Sequence, residues 1–303
     1  MKKLIFLLLI VLISGQISSQ YCQESKETTY SNRGKVFESL DFNSSILKES
    51  IKYSIYLPPD YYSSSRKYPV VYLLHGYSDD ETGWIQFGEV NIAADKGIAD
   101  RSFPPVIIVM PDAKVTWYIN DHKNEYPYED MFIKEFIPYI DKTYKTRTKR
   151  EFRAVSGLSM GGFGALGYAM RHPDIFSSCA AFSAAIYTEK EFIAQNDRSY
   201  NGIYSFLYGK DLKGEERITK HWINTSPIAH AKNFSENELK KVRWYIDCGD
   251  DDFLYAGNST LHIILRDRKI PHEYRVRDGA HSWVYWRTGI IDALKFFGKG
   301  FHR

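Results

Sequence analysis

Cysteine is scarce in this chain of 303 residues. Its three cysteines, Cys22, Cys179 and Cys248, cannot pair completely, and the last two sit in apolar, strand-like runs where buried free thiols are ordinary. A disulfide framework is therefore excluded. Excess charge is missing too: 40 Lys and Arg stand against 37 Asp and Glu, and loss of Lys2 and Lys3 with a cleaved leader takes the formal +3 to +1. A near-neutral surface offers no counterpart to a phosphate backbone, so no nucleic-acid partner is expected. His122, His172, His221, His230, His262 and His272 are scattered, without pairing at metal-ligand spacing, so no metal is expected. Internal repeats and low-complexity linkers are absent as well.

Long apolar runs are equally lacking. The one near the start, Leu4 to Ile13 after Lys2 and Lys3, falls short of the roughly 20 residues that cross a bilayer. A charged start, a short apolar core and polar Gln16 to Gln20 read as a bacterial-type export signal, cleaved near Ser19 and Gln20. Residues 1–19 are then a leader and 20–303 a single mature domain in the periplasm or outside the cell, with no transmembrane segment. Ser19-Gln20-Tyr21 places bulky polar residues where a lipobox needs small apolar ones, which disfavours a lipid anchor at Cys22.

What the chain does have is strand alternating with helix. Two alternating stretches, Lys35 to Phe42 and Ile51 to Leu57, suit an antiparallel edge. Apolar runs at Val70 to Leu74, Val106 to Met110, Phe152 to Val155, Cys179 to Phe182 and Val242 to Ile246 suit buried parallel strands. Helical patterns fall at Val90 to Asp100, Tyr128 to Tyr144, Met160 to Arg171 and Thr260 to Lys269. This predicts an α/β domain with a mostly parallel sheet and helices on both faces. The long connection of about 184–240, with Asn224-Thr225-Ser226-Pro227 as a helix start, is read as a cap insertion. Its Tyr204, Phe206, Tyr208 and Trp222 either line a pocket or pack the cap onto the core.

Gly157-Leu158-Ser159-Met160-Gly161 matches G-x-S-x-G where an apolar run passes into a small-residue helix. In such an elbow the serine holds a strained backbone and displays its hydroxyl above the sheet. Downstream, a strand-like run ends in Gly249-Asp250-Asp251-Asp252, and His281 follows the alternating segment Glu273 to Val276. Nucleophile, acid and histidine thus occur in the order Ser159, Asp252, His281, with Asp251 as the other choice of acid. A serine hydroxyl needs a base to take its proton during attack, and that base needs a carboxylate to fix its tautomer. The backbone N–H groups of Met160 and of Tyr77, after the His75-Gly76 turn, would bind the oxyanion. His75 itself reads as structural. The aspartate run could instead be a solvated turn or attract Ca²⁺.

These motifs, with Leu73-Leu74-His75-Gly76-Tyr77, Gly279-Ala280-His281-Ser282-Trp283-Val284-Tyr285-Trp286 and the block Tyr128 to Asp141, resemble the α/β-hydrolase esterases grouped as carbohydrate esterase family 1, with the esterase D type enzymes. The resemblance covers nearly all of the mature chain. It implies a serine esterase that needs no cofactor, acting on feruloyl or acetyl esters or on related acyl groups. Export disfavours formylglutathione as substrate. Trp117 and Tyr118, in a loop after a strand, and Trp84, Trp283 and Trp286 are the substrate-binding candidates, because ligands of open α/β sheets bind at the C-terminal strand ends. Flat indole and phenol rings suit sugars and feruloyl groups, so feruloyl or acetyl esters of xylan-type polysaccharide are the expected substrate. A siderophore trilactone or other small ester is the second expectation within the enzyme class. A non-catalytic carbohydrate-binding or surface protein is the expectation from another class.

Overall fold

Runs rich in β-branched and aromatic residues assemble one eight-stranded sheet in the computed structural model, which describes residues 33–301. The proposed leader and Cys22 lie outside the described residues. The strands are β1 (Lys35–Ser44), β2 (Glu49–Leu57), β3 (Val70–Leu74), β4 (Ile107–Pro111), β5 (Arg153–Leu158), β6 (Ser178–Phe182), β7 (Arg243–Gly249) and β8 (His272–Arg277). Their spatial order is β1-β2-β4-β3-β5-β6-β7-β8. β1 pairs with β2, and β2 with β4, in antiparallel fashion, and every other pairing is parallel. This is the expected mostly parallel sheet with an antiparallel edge. The segment Glu273 to Val276 is a strand in its own right and closes the other edge.

Period-2 geometry divides the central strands between two cores. Val70, Tyr72 and Leu74 of β3 face one core with the helical stretch of 128–143 and with α2 (Met160–Arg171). Val71 and Leu73 face the other, covered by α1 (Val90–Ala99) and by the terminal helix α4 (Trp283–Phe301). Helices therefore lie on both faces, as the strand–helix alternation predicts. Burying each face of β3 to within 1 % of full removes nearly all of its apolar surface from water, at about 25 cal/mol per Å².

Two helical expectations differ in detail. The stretch of 128–143 is not one regular α-helix: Phe132–Phe136 forms a π-helical turn just ahead of Pro138. A proline inside a helix lacks the N–H that bonds one turn back and its ring crowds that carbonyl, and a widened turn relieves both. The helix expected at Thr260 begins earlier, as α3 (Tyr255–Asp267). Its start is tied to Asp252, whose Oδ1 accepts from Leu254 N at 2.9 Å and whose carbonyl accepts from Tyr255 N at 3.0 Å. Polar Asn258, Ser259 and Thr260 conceal that start in the sequence.

Between β6 and β7 the chain makes short helices, among them Asp197–Ile203, Ser205–Tyr208, Lys220–Thr225 and Pro227–Asn233. Ser226 is the N-cap of the last of these, its hydroxyl accepting from Ala229 N, and Pro227 occupies the first turn, as the Asn224-to-Pro227 pattern predicts. Among the described residues no helix is long and apolar enough to cross a membrane.

Candidate active site

Ser159 occupies the turn between β5 and α2 with φ 53° and ψ −118°, a backbone state that costs about 1–3 kcal/mol in a non-glycine residue. Neighbouring glycines make the turn possible. A Cβ on Gly157 would lie 2.4 Å from the Gly161 carbonyl carbon, and one on Gly161 would lie 2.4 Å from the Leu74 oxygen. The turn is also held from outside, since Ser159 N donates to Phe182 O at 2.9 Å and Ser159 O accepts from Ala185 N at 2.9 Å.

His281 joins the two other predicted groups. Its Nε2 lies 3.0 Å from Ser159 Oγ, and its Nδ1 lies 2.9 and 3.1 Å from the Asp252 carboxylate oxygens. Asp252, buried at 1 % exposure, is the carboxylate that faces His281, whereas Asp251 is exposed. Burial pushes the Asp252 carboxyl up. Hydrogen bonds from His281, from the Ser183 hydroxyl and from Leu254 N–H outweigh that and hold it below its ordinary value. An ionised carboxylate only accepts, so Nδ1 carries the imidazole hydrogen and Nε2 turns its lone pair towards the serine hydroxyl.

Ser183 was not foreseen from the sequence. It follows the last residue of β6, is wholly buried, and has φ 44°. Trp286 Nε1, which can only donate, bonds to Ser183 Oγ at 3.0 Å. That leaves the Ser183 hydrogen free to point at Asp252. The sequence signal was its place at the C-terminal end of a parallel strand, where α/β sheets present their sites.

The His75-Gly76-Tyr77 turn stands beside the serine. A Cβ on Gly76 would come within 3.8 Å of Ser159 Cβ. Among the described residues the backbone N–H groups of Met160 and Tyr77 donate to no backbone carbonyl. Met160 is the first residue of α2, where an N–H has no partner in its own helix. His75 braces the turn: Nε2 accepts from Ala113 N at 2.8 Å, so Nδ1 is the protonated nitrogen that donates to Gly76 O at 2.7 Å.

Above Ser159 and His281 opens a cavity of about 470 Å³. Trp117, Trp283 and Trp286 line it as expected, and so does Tyr204. Trp84 and Tyr118 do not, and this corrects the sequence reading. Trp84 is 1 % exposed and donates Nε1 to Leu74 O at 2.9 Å, while its ring packs edge-on against Trp283. Tyr118 is fully buried and donates its hydroxyl to His75 O at 3.1 Å. Each has a polar handle that finds a backbone carbonyl inside the core, so each supports the turn rather than the cavity. Tyr208 and Trp222 pack with Phe192 in the core, and exposed Phe206 lies away from the cavity.

Tyr187, Ile203, Phe253 and Asp79 also line the cavity, without having been predicted. Burial pushes the Asp79 carboxyl above its ordinary value and the charge of Asp80 adds to this. Its acidic place two residues past Tyr77 was the available signal. Asp250, Asp251 and Asp278 offer carboxylate oxygens within 4.8 Å of one another, all exposed. Asp250 Oδ1 accepts from Gly279 N at 2.9 Å, which ties the loop of the acid to the loop of the histidine.

Residues 44–297 match the family model Esterase, described as "Putative esterase". The chain is 25 % identical over 270 residues to an acetyl esterase of Caldicellulosiruptor saccharolyticus, covering 86 % of this chain and 97 % of that one. It is 33 % identical over 149 residues to an endo-1,4-beta-xylanase/feruloyl esterase of Xylanibacter ruminicola, covering 46 % of this chain and 20 % of that much longer protein. A solved ferulic acid esterase superposes with a TM-score of 0.77 at 30 % identity, over 89 % of this chain and 99 % of that one. With its α/β-hydrolase fold, the chain belongs to this esterase family and is a carboxylic ester hydrolase.

Proposed function

We propose that this protein is an exported serine esterase that removes feruloyl or acetyl groups from xylan-type polysaccharide. The observation that carries the reading is His281 bridging Ser159 at 3.0 Å and Asp252 at 2.9 Å beneath an aromatic cavity. Ser159 Oγ attacks the ester carbonyl while His281 Nε2 takes its proton, and Asp252 stabilises the imidazolium. The N–H groups of Met160 and Tyr77 receive the oxyanion; removing one such donor in other enzymes lowers the rate by about 10²–10³. His281 then gives the proton to the departing alcohol oxygen, and water resolves the acyl-Ser159 intermediate through the same base.

Proton return fixes the direction of the substrate. The alcohol must leave beside His281, whose ring contacts Phe253 at 4.7 Å and Trp286 at 4.8 Å, and Trp286 in turn meets Trp283 at 5.4 Å. The acyl group occupies the other wall, where Trp117 meets Tyr204 at 5.1 Å and Tyr77 at 6.2 Å. Phe253 is 69 % exposed, so the alcohol side opens to solvent and leaves room for a polymer. The relatives named acetyl esterase and feruloyl esterase support the same acyl groups. Among the described residues no Lys or Arg lines the cavity and Asp79 does, which disfavours an anionic siderophore. The charged start and short apolar core of the first residues support export, and the cap reading of 184–240 rests on Tyr187, Ile203 and Tyr204 reaching the cavity.

The test is release of ferulate and acetate from feruloylated, acetylated arabinoxylan by the purified protein, with Ser159→Ala as control. Release that vanishes in the variant is expected. Turnover confined to p-nitrophenyl acetate would keep the serine chemistry and remove the polysaccharide.

A further inference from the structure

Two adjacent aspartates follow the Tyr77 turn and do different work. Asp80 is exposed and closes the local turn, its Oδ1 accepting from Thr82 N at 2.8 Å and from Thr82 Oγ1 at 2.7 Å. Asp79 takes no part in that closure. Its backbone N donates to Gly76 O at 3.2 Å, which fixes where the residue stands, and its half-buried side chain lines the cavity. The carboxylate is therefore not sealed inside the core, as the Trp117 indole nitrogen is.

Missing side chains bring this carboxylate to the serine and to an indole. A Cβ on Gly76 would stand 3.3 Å from Asp79 Oδ2 and 3.8 Å from Ser159 Cβ, so the carboxylate and the nucleophile flank the same bare point of the turn. A Cβ on Gly83 would stand 3.4 Å from Asp79 Cγ and 3.3 Å from Trp283 Cζ2, so carboxylate and indole share one floor. Trp283 is itself held edge-on by Trp84 at 5.3 Å and by Trp286 at 5.4 Å. Burial disfavours the Asp79 charge, and the His75 ring, the Gly76 N–H and the Trp283 side chain only partly offset this. A carboxylate has about four lone-pair sites, more than these neighbours use. An acceptor beside a rigid aromatic ring, on the wall that opens to water, matches a sugar: the apolar face of the sugar stacks and a hydroxyl donates.

We infer that Asp79 is a specificity residue that accepts a hydrogen bond from a free hydroxyl of the departing alcohol, so that the site prefers esters of sugars and other polyols to esters of simple alcohols. The inference rests on the proposed reading of the site, which puts the alcohol on the wall of Trp283 and His281. A simple alcohol leaves Asp79 partly desolvated without a new donor, whereas a polyol replaces the lost water. An alcohol that carries its own carboxylate meets like charge there, with no Lys or Arg among the described lining residues to offset it.

The experiment uses three esters of one acyl group, ferulate or acetate according to which is released from arabinoxylan. Their alcohols are arabinose, methanol and glycolate, and they are compared at pH 8 in wild type, Asp79→Ala and Asp79→Asn. Asp79→Ala is expected to lower kcat/KM for the arabinose ester about fivefold relative to the methyl ester. Asp79→Asn keeps an acceptor oxygen and is expected to lose only about twofold. Both variants are expected to gain about threefold on the glycolate ester relative to the methyl ester. Equal losses on all three esters, as a merely structural role would give, or ratios unchanged from wild type, overturn the inference. Absence of Ser159-dependent release from the arabinose ester would sink the polysaccharide reading of the site as well. Ser159-dependent release with ratios insensitive to residue 79 would sink this inference alone.

Discussion

The two walls of the cavity differ in their access to water. On one side Trp117 and Tyr204 are 4 % and 3 % exposed and lie among other rings of the core. On the other, Phe253 beside His281 is 69 % exposed, and Asp79 and Trp283 are half-buried. A closed wall recognises by shape and by the few polar groups it holds, because everything bound there is desolvated. An open wall tolerates size and adds only weak contacts. On the proposed reading the enzyme is selective for its acyl group and permissive for the size of its alcohol, with Ser159 at the seam.

That comparison can be broken most directly at the seam. Ser159→Ala or His281→Ala is expected to lower kcat by about 10⁴–10⁶ on every ester, whichever wall the ester engages. Turnover of a large ester surviving in either variant would place its chemistry elsewhere. Asp252→Asn is expected to lower kcat by about 10³–10⁴, because an amide can hold the imidazole in the wrong tautomer. Steady-state kinetics on p-nitrophenyl acetate read both effects.

Smaller effects separate the walls. Trp283→Ala, on the open side, is expected to lower kcat/KM for feruloylated arabinoxylan about fivefold relative to methyl ferulate. Equal losses on polymer and methyl ester would mean that the alcohol does not lie there. Ser183→Ala supports neither wall and removes one of the bonds that hold Asp252; a fall of about fivefold in kcat with KM unchanged is expected on all esters. A change in KM alone would show that Ser183 acts on binding.

The smallest effect on activity is expected far from both walls. Glu129 takes both Arg171 Nε and Nη2 at 2.8 Å and His172 Nε2 at 2.8 Å, which ties the end of α2 to the helical stretch before it. Burial pushes its carboxyl up, but the Arg171 charge and these hydrogen bonds bring it down from 4.5 to about 2. Its folded value is thus depressed, so its contribution is complete above about pH 4.5 and is lost as pH falls towards 2. That contribution is about 3 kcal/mol. Glu129→Gln is expected to lower unfolding stability by about 2–3 kcal/mol at pH 7, with the difference shrinking in acid, while kcat changes less than twofold. Denaturant melts at pH 7 and pH 3 check the sign.

Much of this arrangement was legible along the chain. Val70 to Leu74 and Met160 to Arg171 have the limits read from their patterns, because a buried parallel strand and a small-residue helix are each written in consecutive residues. The elbow at Ser159 was legible for the same reason, since Gly157 and Gly161 answer contacts made within a few residues and with the strand beside them. His281 could be placed by its position after β8. The start of α3 and the π turn before Pro138 were not legible, since one depends on bonds from Leu254 N and Tyr255 N to the side chain and carbonyl of Asp252 and the other on how a helix absorbs a proline.

The succession of strands and helices along the chain, the sharp turn at Ser159 and the serine, aspartate and histidine of the proposed triad, in that order, were determined by the sequence itself, through local spacing and polarity. Tertiary structure alone decided that Asp252 and not Asp251 faces His281, that Ser183 and Trp286 stand behind it, and that Trp117 lines the cavity while adjacent Tyr118 does not. Ser159 and His281 are 122 positions apart, and Ser183 and Trp286 are 103 apart. Which way a loop side chain turns depends on what packs against it from such distances, and that information is carried by no window of neighbouring residues.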